Sequence, residues 1–544
     1  MSARLDPTER QRAWEQLAHE RFDVLVVGGG VTGAGVALDA VTRGQRTALV
    51  EARDLAIGTS SRSSKLLHGG LRYLEQRHFD LVREALHERD LMLTRLAPHL
   101  ARAIRFLYPL RHRVWERPYV EAGLTLYDTL GGNRSMPRHR YLSSAEALAV
   151  VPALRDDALV GAMQYGDAQV DDARHTMMVA RTAAERGALV RTQTKVVELL
   201  RHGYTVVGAR LLDVPTGATC EVRARVVIAC TGVWTDEVLG LAGEKAPFHV
   251  RASKGIHFTV PRDRIASDSG LILRTDTSVL FVIPWDDLWL IGTTDTDWHG
   301  SLDHPRAGSD DIDYLLDQLN RVLVTPLSRD DIVGIYAGLR PLLAGDSEDT
   351  SQLSREHAVS RHVPGLVSVA GGKYTTYRVM AKDAVDAAIP DLAHVGPCVT
   401  ERTPIIGAEG YDALVADLDA VAARWGVDPA RAERLLHRYG SLAPQVLAEG
   451  GGTLVSPVPG AEHYLDAELS YAVTHEGAMN LDDVLARRTR IRIETPDRGD
   501  QCAEHAARII APALGWDEAT VAAQVQAYRD DIVRERREED VLGG

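Results

Sequence analysis

Three glycines at a fixed spacing are the first residues in the chain that could do chemistry. Gly28, Gly30 and Gly33 fit G-x-G-x-x-G within DVLVVGGGVTGAGVALDAVTRGQRTALVEA. In that pattern the first glycine permits a tight turn, and the second lets backbone approach a pyrophosphate. The third lets helix and strand pack closely. Amides at the helix start, and the helix dipole, then face the phosphates. Glu51 stands 18 residues after Gly33, where a carboxylate accepts hydrogen bonds from a ribose. It would repel the 2′-phosphate of NADP. The spacing implies a dinucleotide without separating FAD from NAD.

Downstream, GTSSRSSKLLHGGLRYLE (58–75) crowds Thr59, Ser60, Ser61, Ser63 and Ser64 beside Arg62 and Lys65, ahead of His68-Gly69-Gly70. Hydroxyls and backbone amides suit a pyrophosphate and a polyol chain. The same composition also fits a polar loop that caps the next helix.

These groups need elements to hold them. Val24 to Val27 reads as a short buried strand, followed by a helix to about Arg43 that Gly44 closes. Thr47 to Val50 reads as a second strand ending at Glu51. Residues 1–20 read as a polar helix. From about 53 to 395 short apolar runs alternate with helical stretches, the pattern of mixed α/β folds. Phe79, Val82, Leu86, Leu93, Leu96 and Leu100 fall on one helical face, the pattern of a core-facing helix. Residues 401–544 hold 26 acidic and 15 basic side chains, so the charge is segregated toward the C-terminus. That segment reads as helical. Asp428-Pro429 is a good helix start and Gly440 a good stop. Val521, Val525, Tyr528 and Ile532 share one helical face.

The chain has 544 residues, 45% apolar and 25% charged, with a formal charge of −14. That excludes a disordered chain, a collagen-like chain and a disulfide scaffold. Net acidity argues against non-specific nucleic-acid binding. Cys220, Cys230, Cys398 and Cys502 show no metal-ligand spacing, and free thiols suit the cytosol. No signal peptide or membrane-spanning run is expected.

The hydroxyl-rich segment resembles the signature of the FAD-dependent glycerol-3-phosphate dehydrogenases, the membrane-associated respiratory enzymes. Other stretches resemble the same family in the same order: YGDAQVDDAR (165–174), ACTGVWTDEV (229–238), SKGIHFTV (253–260), VIPWDDLWLIGTTDTDW (282–298), LSRDDIVGIYAGLRPL (327–342) and VAGGKYTTYRVMA (369–381). THEGAMNLDDVLARRTR (474–490) resembles that family's C-terminal domain. The resemblance implies an α/β fold: a glutathione-reductase-type FAD-binding domain interleaved with an α+β substrate cap, plus a mostly helical C-terminal domain. The expected divisions are 1–20, 21–395 and 396–544.

The resemblance implies FAD at Gly28, Gly30, Gly33 and Glu51, with Thr59, Ser60, Ser63, Ser64, Lys65 and His68 along it. It adds a contact at Thr231-Gly232, and another where Gly371-Gly372 heads a helix from about Thr375 near the flavin ring. GGKYTT lacks the earlier glycine of a P-loop.

The implied substrate is sn-glycerol 3-phosphate, oxidised to dihydroxyacetone phosphate. A phosphate dianion calls for several cations, ideally forked guanidiniums. The resemblance places Arg340, Arg355 and Lys373 there, with Arg72 and Tyr73 next. His257 is the candidate base, since a neutral imidazole titrates in the useful range, and Arg340 joins it as a catalytic candidate. Lys254 reads as structural. Thr293, Thr294 and Asp295 form a polar cluster without an assigned role, compatible with a turn satisfying its own backbone.

The family passes electrons to membrane quinone, whereas a sister group uses oxygen and typically carries a mid-chain insertion. None is evident here, which favours quinone. Residues 105–140 hold seven Arg against three acids, with Phe106, Tyr108, Trp115 and Tyr119 interleaved. Such a stretch suits an anionic headgroup region, or else a solvated loop with its aromatics packed inward. The expected partners are sn-glycerol 3-phosphate, membrane quinone and the bilayer, reached peripherally from the cytoplasmic side of the cell membrane. A homodimer stays open; no nucleic acid and no metal are expected. Alternatives are an oxygen-using glycerol-3-phosphate oxidase, a related flavin oxidase of amines or amino acids, and a flavin-bound sensor.

Overall fold

The computed structural model describes residues 4–75, 77–131, 135–243, 248–275, 279–343 and 357–540. Its first sheet grows outward from the strand Arg21–Val27. Thr47–Val50 and Thr219–Ala229 flank that strand in parallel. Leu189–Arg191 extends one edge and Leu366–Gly371 the other, again in parallel, before His357–Val363 closes the edge antiparallel. The chain therefore leaves this sheet after residue 50 and returns to it twice, at Leu189 and at His357. Strands buried on both faces need continuous apolar runs, and Val24, Leu25 and Val26 are fully buried. Helices Val31–Thr42, Asp172–Glu185 and Tyr377–Ala388 share one core with one face of the sheet. The N-terminal helix Pro7–His19 and the hairpin Thr194–His202/Thr205–Asp213 cover the other.

The intervening segments build a second, ten-stranded sheet. Its strand Val250–Pro261 lies between Leu288–Gly292 and Gly334–Leu343, antiparallel to both. Helix Ser309–Asn320 packs Ile312, Leu315 and Leu319 into this sheet's core.

The C-terminal helices start and stop as the sequence suggests. In Pro429–Tyr439 the Asp428 carboxylate accepts from the Arg431 N–H at 2.9 Å, and Gly440 takes a positive φ of 56°. Helix Glu518–Asp540 buries Val521, Val525, Tyr528 and Ile532. Contact with the first sheet is strongly ionic. Arg487 and Arg488 both reach Asp54, at 2.5 and 2.6 Å, and Arg174 reaches Glu476 at 2.9 Å. All five are buried. Removing one partner of such a pair leaves a buried charge uncompensated, at a cost of about 3–5 kcal/mol. Several arginines of the acidic C-terminal segment thus turn inward to meet acids of the first sheet's region.

Candidate active site

A cavity of about 410 Å³ opens at the C-terminal ends of the first sheet's strands, where open α/β sheets bind their ligands. Gly28, Gly30, Glu51, Thr59, Ser60, Ser63, Thr231, Gly232, Gly371 and Gly372 line it. Gly28 has φ of 109°, and a Cβ there would lie 2.5 Å from the Cys230 carbonyl oxygen. Gly33 does not line the cavity. A Cβ on it would meet the Gly28 carbonyl oxygen at 1.9 Å, so its work is helix–strand packing. Glu51 accepts from the Gly29 and Arg53 N–H groups at 2.6 and 2.8 Å. Burial pushes its carboxyl upward while those amides oppose the shift. A carboxylate has about four acceptor sites, so acceptor capacity remains. The buried Thr231 Oγ1 has no hydrogen-bond partner among the described residues. A buried hydroxyl on a cavity wall calls for a polar ligand atom.

The hydroxyl-rich segment is a joint between the two sheets. Ser60 Oγ accepts from the Val31 N–H at 2.9 Å, capping a helix whose own cap, Gly30, has no side chain. Thr59 donates to the Leu339 carbonyl at 2.5 Å. Ser63 donates its N–H and O–H to Asp172 at 2.9 and 2.7 Å. Lys65 corrects the expectation drawn from sequence. It is wholly buried, lines neither cavity, and donates to Asp172 at 2.8 Å and to the Ser61 carbonyl at 3.1 Å. A buried ammonium needs a carboxylate, and Asp172 supplies one away from the nucleotide cavity.

A second cavity of about 170 Å³ adjoins the first, sharing Thr59, Ser63, Pro341, Gly372, Lys373 and Tyr374 with it. It gathers Ser64, His68, Tyr73, His257, Arg340 and Thr375. Register explains the arrangement. Ser253, Gly255 and His257 alternate along one strand and pair with Arg340, Gly338 and Tyr336 on the next. Residues two apart on a strand share a face, so His257 and Arg340 lie on one face with two glycines between them, and a Cβ on Gly338 would lie 2.4 Å from the Arg62 carbonyl oxygen, which packs there. A Cβ on Gly255 would lie 2.5 Å from the Arg340 guanidinium.

His257 is buried, stacked on Tyr336 at 5.0 Å, with Nε2 2.8 Å from Ser64 Oγ. On its other flank a Cβ on Gly292 would touch the imidazole at 2.2 Å. Burial, then the charges of Arg340 and Lys65, hold the imidazole well below its usual pKa. It is therefore neutral near pH 7. Arg340 is held by Thr293 Oγ1 at 2.9 Å, the Thr294 carbonyl at 3.0 Å and Asp295 at 3.3 Å. The cluster that sequence reading left without a role is thus a bracket for Arg340. Lys373 sits 3.5 Å from the centroid of the Tyr73 ring. The His68 N–H donates to Thr375 Oγ1 at 3.2 Å. Lys254 pairs with Asp311 at 2.6 Å, a structural contact. The Arg72 side chain and the whole of Arg355 lie outside the described residues. Sequence reasoning missed Tyr336 and the role of Thr293 and Asp295. The available signal was a glycine two positions before both His257 and Arg340.

Residues 23–386 match the FAD dependent oxidoreductase family, and residues 398–521 match the C-terminal domain of alpha-glycerophosphate oxidase. The chain is 56% identical over 530 residues to glycerol-3-phosphate dehydrogenase 2 of Mycobacterium tuberculosis, covering 97% of this chain and 91% of that one. It is 35% identical over 542 residues to the mitochondrial glycerol-3-phosphate dehydrogenase of Homo sapiens, covering 93% and 72%. The crystal structure of glycerol-3-phosphate dehydrogenase from Bacillus halodurans, complexed with FAD, superposes with a TM-score of 0.80 at 28% identity, covering 99% of this chain and all of that one. With a nucleotide cavity on the first sheet, a smaller polar cavity under the second, and near full-length identity to these relatives, the chain belongs to the family of FAD-dependent glycerol-3-phosphate dehydrogenases.

Proposed function

We propose that the chain oxidises sn-glycerol 3-phosphate to dihydroxyacetone phosphate and passes the electrons to membrane quinone. The observation that carries the reading is the smaller cavity, where a neutral imidazole faces a space bordered by Arg340 and Lys373, against the nucleotide cavity. The larger cavity fits FAD: a left-handed glycine at the turn, a carboxylate with acceptor capacity, and an unsatisfied buried hydroxyl. Gly28 and Gly30 would take its pyrophosphate and Glu51 its ribose. Thr59, Ser60, Ser63 and Thr231-Gly232 would line its length, and Ser64, His68, Gly371, Gly372 and Thr375 its ring end. When bound, FAD accepts the hydride that leaves C2 of the substrate.

The remaining work falls to the chain's own residues. Arg340 and Lys373, with Tyr73, Arg72 and Arg355, would hold the phosphate dianion and the glycerol end. His257 Nε2, placed at the cavity by its contact with Ser64, would take the proton of the substrate hydroxyl. In this reading residues 1–20 brace the nucleotide sheet, 21–395 hold both cavities, and 396–544 form the helical domain. The direct test adds sn-glycerol 3-phosphate to the holoenzyme without oxygen and follows flavin absorbance. Bleaching is expected; no bleaching with flavin present would remove the substrate assignment. A quinone analogue is then expected to restore the colour faster than air. Faster recovery in air would favour the oxidase reading.

The quinone acceptor gains support from one surface. Phe106 of the basic, aromatic stretch packs inward, but Val114, Trp115 and Tyr119 are 87%, 53% and 50% exposed. Phe79 adds 44% exposure from the preceding helix, whose Val82 and Leu86 are core. Exposed Arg111, Arg113 and Arg117 flank these side chains. Among the described residues no helix is long and apolar enough to cross a membrane. We infer peripheral docking of this patch on the inner face of the cell membrane. Burying Val114 and Trp115 in lipid is worth roughly 1.5–3 kcal/mol each. A Val114→Ser/Trp115→Ser variant is therefore expected to lose roughly tenfold or more in binding to anionic vesicles. Its turnover with a water-soluble dye should stay unchanged. Undiminished vesicle binding would discard the patch.

A further inference from the structure

We propose that Arg490, carried by the C-terminal helical domain, is a positioning residue for the active site: through Asp172 it fixes the Ser63–Lys65 segment whose Ser64 hydroxyl holds the His257 imidazole. The role of His257 rests on the function proposed above; the positioning itself rests on a continuous chain of hydrogen bonds and ion pairs. Arg490 donates to Asp171 at 2.6 and 3.0 Å, to the Ser61 carbonyl at 3.3 Å, and to Asp172. Asp172 in turn accepts from the Ser63 N–H, the Ser63 hydroxyl and the Lys65 ammonium at 2.9, 2.7 and 2.8 Å. Between Ser63 and Lys65 stands Ser64, 2.8 Å from His257 Nε2. The segment has a second tie to the imidazole, because the Tyr336 hydroxyl donates to the Ser63 carbonyl at 2.7 Å while its ring stacks on His257.

Charge balance gives the arrangement its stiffness. Two carboxylates, Asp171 and Asp172, face two cations, Arg490 and Lys65, with Arg438 3.5 Å from Asp171 at the margin. Asp172, Lys65 and Arg490 are all buried. With Arg490 gone, Lys65 would be the cation left on Asp172, and the ammonium would be free to recentre on it. The Lys65 backbone sits at a positive φ of 56°, an uncommon conformation for a side-chain-bearing residue. The segment therefore depends on its ties to hold its path. A shift there moves Ser64 and, with it, the nitrogen that must meet the substrate. Misplacement of a reacting group by about 1 Å can cost about 100-fold in rate.

The test uses FAD-loaded full-length enzyme and four variants: Arg490→Gln, Arg490→Lys, Ser64→Ala and the double Arg490→Gln/Ser64→Ala. Arg490→Gln is expected to lose about 10–100-fold in kcat, with KM for sn-glycerol 3-phosphate and flavin content near wild type, and Arg490→Lys should recover part of the loss. The double variant should lose no more than the worse single one, because both substitutions cut one chain of contacts. Additive losses, or a loss that added FAD reverses, would overturn the proposal. A second arm is independent of substrate. The His257 ring signals in histidine-labelled holoenzyme should shift in Arg490→Lys as they do in Ser64→Ala. Unmoved signals in Arg490→Lys would also overturn it. Were wild-type enzyme not reduced by sn-glycerol 3-phosphate, the proposed function would fall, and this second arm would still decide the positioning.

Discussion

An Arg340→Ala variant is expected to lose about three orders of magnitude in kcat/KM for sn-glycerol 3-phosphate while keeping its flavin. Hydrogen bonds to charged groups are worth about 1.5–3 kcal/mol each. A guanidinium meeting a phosphate dianion makes two, so about 3–6 kcal/mol is at stake, or about 10²–10⁴ in the rate constant. Flavin should stay because Arg340 borders the smaller cavity and not the larger one. The fold should survive as well, since Asp295 keeps its bond to Ser253 when the guanidinium is removed. Arg340→Lys retains the charge without the fork and should fall between the two. Rapid-mixing measurements of anaerobic flavin reduction against substrate concentration decide the matter. A wild-type limiting rate and wild-type half-saturation in Arg340→Ala would sink the assignment.

Much of the nucleotide half was legible because its signals are local. The strand, the glycine turn, the helix and the acid at Glu51 follow one another within 31 residues, 21–51, and each constrains the next. The caps at Asp428 and Gly440 were legible for the same reason. The smaller cavity was legible only through resemblance, because its members come from four distant stretches joined by strand register. Nothing near Arg340 in sequence announces Asp295, 45 positions away, as its partner. Lys65 was misassigned because a cation among hydroxyls looks the same whether it meets a phosphate or a carboxylate. Only the fold reveals that Asp172 arrives on the far side. The acidic C-terminal charge was visible, and the ionic seam that this segment's arginines form was not. It took three-dimensional contacts to show that Arg487, Arg488 and Arg490 turn toward Asp54, Asp171 and Asp172.

Replacing His257 with Gln is expected to slow flavin reduction by about 10²–10⁴-fold, the usual contribution of a positioned base. Glutamine keeps a polar end within reach of Ser64, so the loss would report proton acceptance more than packing. The pH dependence carries a sharper sign. Only the neutral imidazole accepts a proton, and burial, Arg340 and Lys65 all disfavour its charged form. The acid limb that His257 imposes on kcat/KM should therefore lie well below its ordinary value of about 6.5. Substrate phosphate titrates near about 6 by itself, so the useful quantity is the ratio of a variant's profile to the wild-type profile. In Arg340→Ala one positive charge disappears, protonation of His257 becomes easier, and its acid limb should move up toward neutrality. The ratio of variant to wild type should then fall as pH drops. In His257→Gln the limb belonging to the imidazole is gone, and the ratio should rise instead as pH drops into the range where the wild-type base protonates. Ratios that stay flat in both variants across the accessible acid range, together with an undiminished rate in His257→Gln, would remove His257 from the proton's path and return it to the packing it shares with Tyr336 and Gly292.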